Sequence, residues 1–146
     1  MKNNKNLNIP SILDNTPKEC RLDVAFSLLT PLQQEIMRIF LEKKSALSSY
    51  EVWKNLITKK FDVIPKDEKP VFGCNIQKNE KAMLKAKEDY LKKMGVYIPS
   101  YRKMENKLQT LVSYGLLVHI EAERSRAKSL YALNPEFISK VTQNAR

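Results

Sequence analysis

Polar side chains at helical spacing mark one side of a predicted helix near the carboxyl end of the chain. Because successive residues of a helix are rotated by about 100°, these side chains fall on one side of the helix, away from the apolar side. Their types suit base recognition, because Arg and Lys hydrogen-bond to guanine and Asn to adenine in the major groove. An ordinary solvated helix face is the competing interpretation. The residues on this side are Arg102, Lys103, Asn106, Thr110 and Ser113.

A second basic group lies between two β-prone runs, residues 116–122 and 128–133. The runs predict an antiparallel hairpin, although the segment that joins them lacks the Gly that would fix its turn. A basic hairpin tip can hold phosphates or enter the minor groove. Glu121 and Glu123 dilute the positive field, but phosphate contact remains the favoured interpretation. The basic residues of the tip are Arg124, Arg126 and Lys128.

The sequence shows no pattern typical of catalysis or of metal binding. His119 has no nucleophile at a motif spacing, and the three glycines form no phosphate-binding loop. Cys20 and Cys74 lie far apart without neighbouring ligands, whereas a structural zinc takes about four ligands at tight spacings. We therefore expect a protein that is not an enzyme and that holds neither a metal nor another cofactor.

The composition is that of one small basic domain. With 146 residues, 42% of them hydrophobic, the chain can bury one core but is short for two. Twenty-six Lys and Arg against sixteen Asp and Glu leave a formal net charge of +10, which favours a partner with a dense negative surface. Nucleic acid is the first candidate and an anionic membrane surface the second, although no run approaches the roughly 18 apolar residues of a spanning helix. Residues 1–10 do not resemble a secretory signal, so we expect a cytoplasmic protein.

Start signals and apolar spacing predict the helices that position these groups. Residues 1–15 predict a flexible polar arm, in which Pro10 acts as a helix breaker. Capping boxes then predict helices that begin after Thr16, Thr30 and Ser48. Residues 45–47 are too short for a strand of their own, but they could pair with the edge of a sheet formed later in the chain.

A highly charged helix is predicted from about residue 75 to 94, where Gly95 suits the left-handed backbone that ends a helix. Its apolar stripe is thin, which favours packing across the domain or against a second subunit. Between residues 75 and 103, eight basic residues face three acidic ones. This excess favours contact with a polyanion, although charged helix faces are commonly just solvated.

The order of helix, short strand, helix, helix and two-stranded hairpin resembles the winged helix-turn-helix superfamily over roughly residues 30–135. Among its subfamilies, the chain is most similar to small prokaryotic transcriptional regulators of the PadR-like kind. It departs from the family at residues 61–99, an insertion with the charged helix, where the family has a short turn between its second and recognition helices. The segments that carry the resemblance are Leu32–Met37, Ser49–Trp53, Leu108–Val118 and Leu130–Leu133.

The resemblance implies a mostly α fold with a small antiparallel β wing, formed by residues 16–146 as a single domain. It implies a transcriptional regulator that binds double-stranded DNA, with the helix after Ser100 in the major groove and the basic wing on the backbone. A winged helix that binds protein partners is the main alternative, because a fold does not fix a function. RNA binding is a second, weaker alternative. The implied DNA-binding residues are Ser100, Arg102, Lys103, Asn106, Thr110, Arg124, Arg126 and Lys128.

A homodimer is also expected, because one short recognition helix reads few base pairs and a two-fold pair doubles the site. Two surfaces outside the wing are candidates for the interface. One is the thin stripe around Met83, Tyr90 and Leu91, and the other is the segment 21–29.

Overall fold

The computed structural model describes residues 8–121 and 129–136. The described part is mostly helical with one small antiparallel pair of strands, as predicted. Two short 3₁₀ turns, Lys18–Cys20 and Lys66–Glu68, lie between helices. The helices are α1 (Ile9–Asp14), α2 (Arg21–Leu28), α3 (Pro31–Lys43), α4 (Ser49–Asp62), α5 (Cys74–Gln77), α6 (Glu80–Lys93) and α7 (Tyr101–Ser113), and the strands are β1 (Leu117–Ile120) and β2 (Leu130–Leu133).

Helices α3 and α4 begin where their capping boxes predicted. In α3, Thr30 Oγ1 accepts from the Gln33 amide at 3.2 Å, and the Gln33 side chain accepts from the Thr30 amide at 2.9 Å. Ser48 and Glu51 make the same pair of bonds at the start of α4. Each box satisfies two of the amide groups that a helix start leaves without partners.

One continuous core extends from Ile9 in α1 to Leu133 in β2. Helix α4 lies at its centre, because α3, α6 and α7 all pack against it. Helix α7 ends where Gly115 adopts a φ of 85°, a left-handed conformation that Gly takes without strain. The core residues of α7 are Met104, Leu108 and Leu111, all with 0% exposure.

The two strands pair antiparallel, with Leu117 opposite Leu133 and Ile120 opposite Leu130. The segment before α4 joins the other edge of β2. There, Leu47 and Tyr131 exchange two backbone hydrogen bonds, both 2.8 Å long. The prediction that residues 45–47 pair with a later sheet edge is confirmed, and β2 lies between β1 and Leu47.

The side chain of Tyr131 ties the sheet to α7. Its hydroxyl donates to the Glu105 carboxylate at 2.8 Å and accepts from the Gln109 amide at 2.9 Å. The Tyr131 ring is fully buried, and it stacks on the His119 ring of β1 with 4.8 Å between centroids. A buried phenol needs hydrogen-bond partners, and α7 supplies both.

The predicted polar arm is wrong for residues 9–14, which form α1. Ile9 and Leu13 are buried, and Asn8 Oδ1 caps the helix by accepting from the Ser11 amide at 3.1 Å. Pro10 does not break this helix because it lies in the first turn, where a proline removes no helical hydrogen bond. Arg21 then holds the end of α1, since its Nε donates to the Leu13 carbonyl at 2.8 Å.

The helix start predicted at Thr16 is also wrong. Thr16 Oγ1 donates to the Ile12 carbonyl at 2.6 Å, so the hydroxyl closes α1 and does not cap a following helix. Residues 18–20 form only a 3₁₀ turn, and α2 begins at Arg21 without a side-chain cap.

The charged helix predicted over residues 75–94 is divided into α5 and α6. Asn79 interrupts it, because its side chain accepts from the Ala82 amide at 3.1 Å and starts α6 afresh. Gly95 has a φ of 85°, so the predicted stop is confirmed. Within the described ranges, each helix is either too short or too polar to cross a membrane.

Both surfaces expected to form a dimer interface are largely used within the chain. Leu91 is 1% exposed, and the half-buried Tyr90 donates its hydroxyl proton to the Glu68 carbonyl at 2.9 Å. In the segment 21–29, Ala25 and Leu29 are buried in the core. The apolar spacing of both segments reflects packing inside one chain.

Replacing Tyr131 by Phe keeps the ring and removes the hydroxyl that joins β2 to α7. We expect the free energy of unfolding to fall by about 1 to 2 kcal/mol, because a hydrogen bond to a carboxylate is lost and Gln109 loses its acceptor. Urea unfolding of parent and variant measures the difference. The matched control is Tyr114→Phe, since the half-buried Tyr114 belongs to the same core and its hydroxyl has no hydrogen-bond partner within the described ranges. Equal losses in both variants would contradict the role given to Tyr131.

Burial, followed by the hydrogen bond to Glu105, raises the pKa of Tyr131 from 10.0 to about 12. A folded-state pKa above the unfolded value gives stability that is complete below the unfolded pKa and is lost as the pH rises through the folded one. The stability difference between the parent and Tyr131→Phe should therefore shrink as the pH rises from 10 to about 12. Urea unfolding of both proteins at several pH values checks this. Because the Phe variant contains the same lysines, their titration cancels in the stability difference. A difference that stays constant over this interval would overturn the expectation.

Candidate nucleic-acid interface

The exposed side of α7 carries side chains whose hydrogen-bonding groups are free. Arg102, Lys103 and Asn106 are exposed, and none has a side-chain hydrogen bond or ion pair within residues 8–121 and 129–136. Because Met104, Leu108 and Leu111 are buried on the opposite side, the helix cannot turn these three away from the surface. The structure thus brings together the central residues of the predicted site on one stretch of surface.

The two hydroxyl residues of the predicted site make local contacts. Ser100 Oγ accepts from the Lys103 amide at 3.3 Å and caps α7. Thr110 Oγ1 donates to the Asn106 carbonyl one turn earlier, at 3.0 Å. Both side chains are half-buried, so their described contacts belong to the helix itself.

Between the buried and the free sides of α7 lies a third row, formed by Glu105 and Gln109. Both bind the Tyr131 hydroxyl, so they fix the rotation of α7 about its own axis. The Glu105 side chain is exposed, and its carboxylate accepts from Tyr131 of the sheet. This contact leaves Arg102 and Lys103 without a carboxylate partner in the described part of the molecule.

Three aromatic rings meet where α4 and α7 begin. The Tyr101 centroid lies 5.7 Å from that of Tyr50 and 6.0 Å from that of Trp53, and the Tyr50 and Trp53 centroids are 5.8 Å apart. Trp53 is 9% exposed, whereas Tyr101 is 44% exposed. Helical spacing predicts that Tyr101 lies on the apolar side of α7, but as the first residue of the helix it extends past the edge of the core. Sequence reasoning therefore missed an aromatic surface next to Arg102.

Ion pairs remove part of the positive charge that the sequence places near this surface. Lys54 of α4 pairs with Glu80 of α6, and the hydrogen bond to Glu80 is the main reason that the pKa of Lys54 is raised. Lys85 lies 3.4 Å from Asp89, and Lys92 lies 3.4 Å from Glu88. The exposed lysines of the insertion that have no described carboxylate partner are Lys66, Lys78, Lys81 and Lys93.

The hairpin strands are shorter than predicted, because β1 begins at Leu117 and β2 at Leu130. Ile120, the last residue of β1, is 45% exposed. The three basic residues of the predicted tip, Arg124, Arg126 and Lys128, lie outside the described residues.

The described residues include no group of three His, Cys, Asp or Glu side chains that could hold a metal ion. Cys20 and Cys74 are exposed free thiols. His119 packs on Tyr131, and its buried Nε2 has no hydrogen-bond partner among the described residues. The chain matches no family model, no curated protein and no solved structure.

Removing the cap of α7 separates the structural role of Ser100 from any binding role. Ser100→Ala should lower the free energy of unfolding by about 1 kcal/mol, whereas Ser100→Asp should retain the parent value, because Asp caps a helix as well as Ser does. Thermal melts of purified variants make the comparison. Ser113→Ala is the control at the other end of α7, where the exposed hydroxyl makes only a local bond to the Thr110 carbonyl. If Ser100→Ala and Ser113→Ala melt alike, the cap does not stabilise α7.

Proposed function

We propose that this protein binds double-stranded DNA through a winged helix and regulates transcription. Helix α7 lies in the major groove, and the basic tip of the hairpin contacts the neighbouring backbone. The observation that carries the proposal is the free row of Arg102, Lys103 and Asn106, held outward on a helix whose other sides are fixed. Arg and Lys suit guanine and Asn suits adenine, so the row has the groups that reading a base edge requires.

The order of elements supports a winged helix. Helix α3, the short strand at Leu47, helix α4, helix α7 and the pair β1–β2 follow one another in the order expected for that fold. The central position of β2, between Leu47 and β1, makes the hairpin part of the same sheet as the chain before α4. Helices α4 and α7 pack against each other, although the insertion separates them in the sequence.

The dimensions of α7 also suit a groove. Its 13 residues give a length of about 20 Å, and a helix of about 10 to 12 Å in diameter enters the major groove, which is about 12 Å wide. Arg102 and Asn106 lie one turn apart in the first half of the helix. We therefore assign base contact to this half, and phosphate contact to Lys103 and to the hairpin tip.

A homodimer completes the proposal, since two copies of α7 would read two half-sites. We expect sedimentation at micromolar concentration to give twice the monomer mass of 17.0 kDa for the free protein, or two protein chains per duplex for its DNA complex. A monomer in both states would reject the dimer. The binding data would then decide whether a single chain contacts DNA.

The decisive experiment compares variants on a preferred duplex, selected from random DNA, and on an unrelated duplex. Arg102→Ala and Asn106→Ala should lose about 1 to 3 kcal/mol on the preferred duplex and less on the other, because a base contact carries specificity. Arg124→Ala and Arg126→Ala should weaken both duplexes equally and lower the salt slope by about one each, because a phosphate contact releases one counterion.

Thermal melts control for folding, and the exposed side chains of Arg102 and Asn106 can be removed without opening the described core. If the α7 variants lose affinity without losing specificity, α7 is not the reading helix. If the parent binds no duplex at low salt, the proposed function is wrong. A flat salt response would favour a protein partner over DNA, since a chain of charge +10 that grips phosphates must bind more weakly as salt rises.

A further inference from the structure

The end of the insertion and the start of α7 form one concave surface. We call it the α6–α7 cleft, a cleft of about 460 Å³ lined by Lys92 of α6, the loop 95–99, and Ser100 and Lys103 of α7. Two of its lining residues are lysines, and none is a carboxylate. Lys93 and Arg102, the chain neighbours of this lining, are also exposed.

The carboxylates of the same two helices have partners, and one of these partners is Lys92 of the cleft. Glu88, whose side chain is only 6% exposed, lies between Lys85 and Lys92, and Glu105 accepts from Tyr131. Asp89 pairs with Lys85 on another part of α6. Glu88 offsets part of the charge of Lys92, so the uncompensated positive charge of the cleft lies on Lys103, which has no partner in the described part of the chain.

We propose that the α6–α7 cleft holds a phosphate of the DNA backbone next to the groove that α7 enters, so that the insertion widens the DNA interface. This inference rests on the proposed function. It follows from the position of Lys103, which lines the cleft and also belongs to the free side of α7. A duplex that contacts this side of α7 must bring a phosphate strand past the cleft, because the strands border the groove.

The proposal assigns the contact to one end of α6 only. Lys81 and Lys92 lie on nearly the same face of the helix, but they are 11 positions apart, or about 16 Å along the axis. That distance exceeds the Debye length of about 8 Å at physiological salt, so Lys81 contributes little to a phosphate held at Lys92. The phosphate contact is therefore assigned to Lys92 at the carboxyl end of α6, which the loop 95–99 connects to α7.

The first test changes the charge of the cleft without touching an ion pair. Tyr97 lines the cleft and is 61% exposed, so its side chain can be replaced without opening the core. Tyr97→Glu should weaken binding to any duplex about tenfold at roughly 0.05 M salt, because losing one phosphate contact removes about that factor. Tyr97→Gln has the same shape without the charge and should bind like the parent.

The second test compares two lysines of α6. Lys92→Ala should also weaken binding about tenfold at low salt and lower the salt slope by about one, whereas Lys81→Ala should change neither. Lys92→Arg keeps both the charge and the pairing with Glu88, so it should bind like the parent. Thermal melts show whether Lys92→Ala, which leaves the buried Glu88 with Lys85 alone, still folds.

Fluorescence anisotropy with a labelled duplex, titrated at several salt concentrations, reads out all variants. The proposal is overturned if Tyr97→Glu binds like Tyr97→Gln while the parent binds duplex DNA, whatever the fate of Lys92→Ala. It is also overturned if Lys81→Ala loses as much affinity as a folded Lys92→Ala. If the parent itself binds no duplex at low salt, both the proposed function and this inference are wrong.

Discussion

The arrangement of the sheet and α7 depends on the burial of one tyrosine. Tyr131 has a polar hydroxyl inside the core, and such a group is tolerated only when it is hydrogen-bonded. Glu105 and Gln109, one turn apart on α7, meet that need, while the Tyr131 backbone binds Leu47 on the other side of β2. One residue therefore fixes the rotation of α7 relative to the hairpin and to the chain before α4. Because Glu105 and Gln109 bind Tyr131, the exposed charged and amide side chains of α7 that have no described partner are Arg102, Lys103 and Asn106.

Features encoded within a few residues could be predicted from the sequence. The capping boxes at Thr30 and Ser48 and the stops at Gly95 and Gly115 each depend on hydrogen bonds or dihedral angles within one turn. The same kind of pattern failed at Thr16, because a hydroxyl can also donate backward, and the Ile12 carbonyl was within reach. Helix α1 was missed for a different reason. Its six residues are stabilised by burying Ile9 and Leu13 in a core that the rest of the chain provides, so their local sequence carries little helical signal.

The candidate site could be predicted only where it follows the periodicity of one helix. Angular spacing was enough to find Arg102, Lys103 and Asn106, and all three are exposed. The contacts of Tyr131 with α7 join residues 22 and 26 positions apart, and the aromatic contact between Tyr50 and Tyr101 spans a greater separation still. The periodicity of a single sequence does not predict which distant residues contact each other. The exposure of Tyr101 depends on where the core ends, which is a property of the packed structure.

The insertion changes the relation between α4 and α7 in a way that a short turn could not. Helix α4 is about 21 Å long, and a short turn after Asp62 would start the next helix near its carboxyl end. Instead, α6 runs beside α4 in the same direction, from the Lys54–Glu80 pair to the contact of Tyr90 with Phe61, whose ring centroids are 6.2 Å apart. The loop 94–100 then returns, and α7 begins beside Tyr50 at the opposite end of α4. The starts of both helices consequently share one side of the molecule. Phe61, Leu84 and Leu91 hold the insertion in the core, so this geometry is maintained by burial and not by a flexible linker.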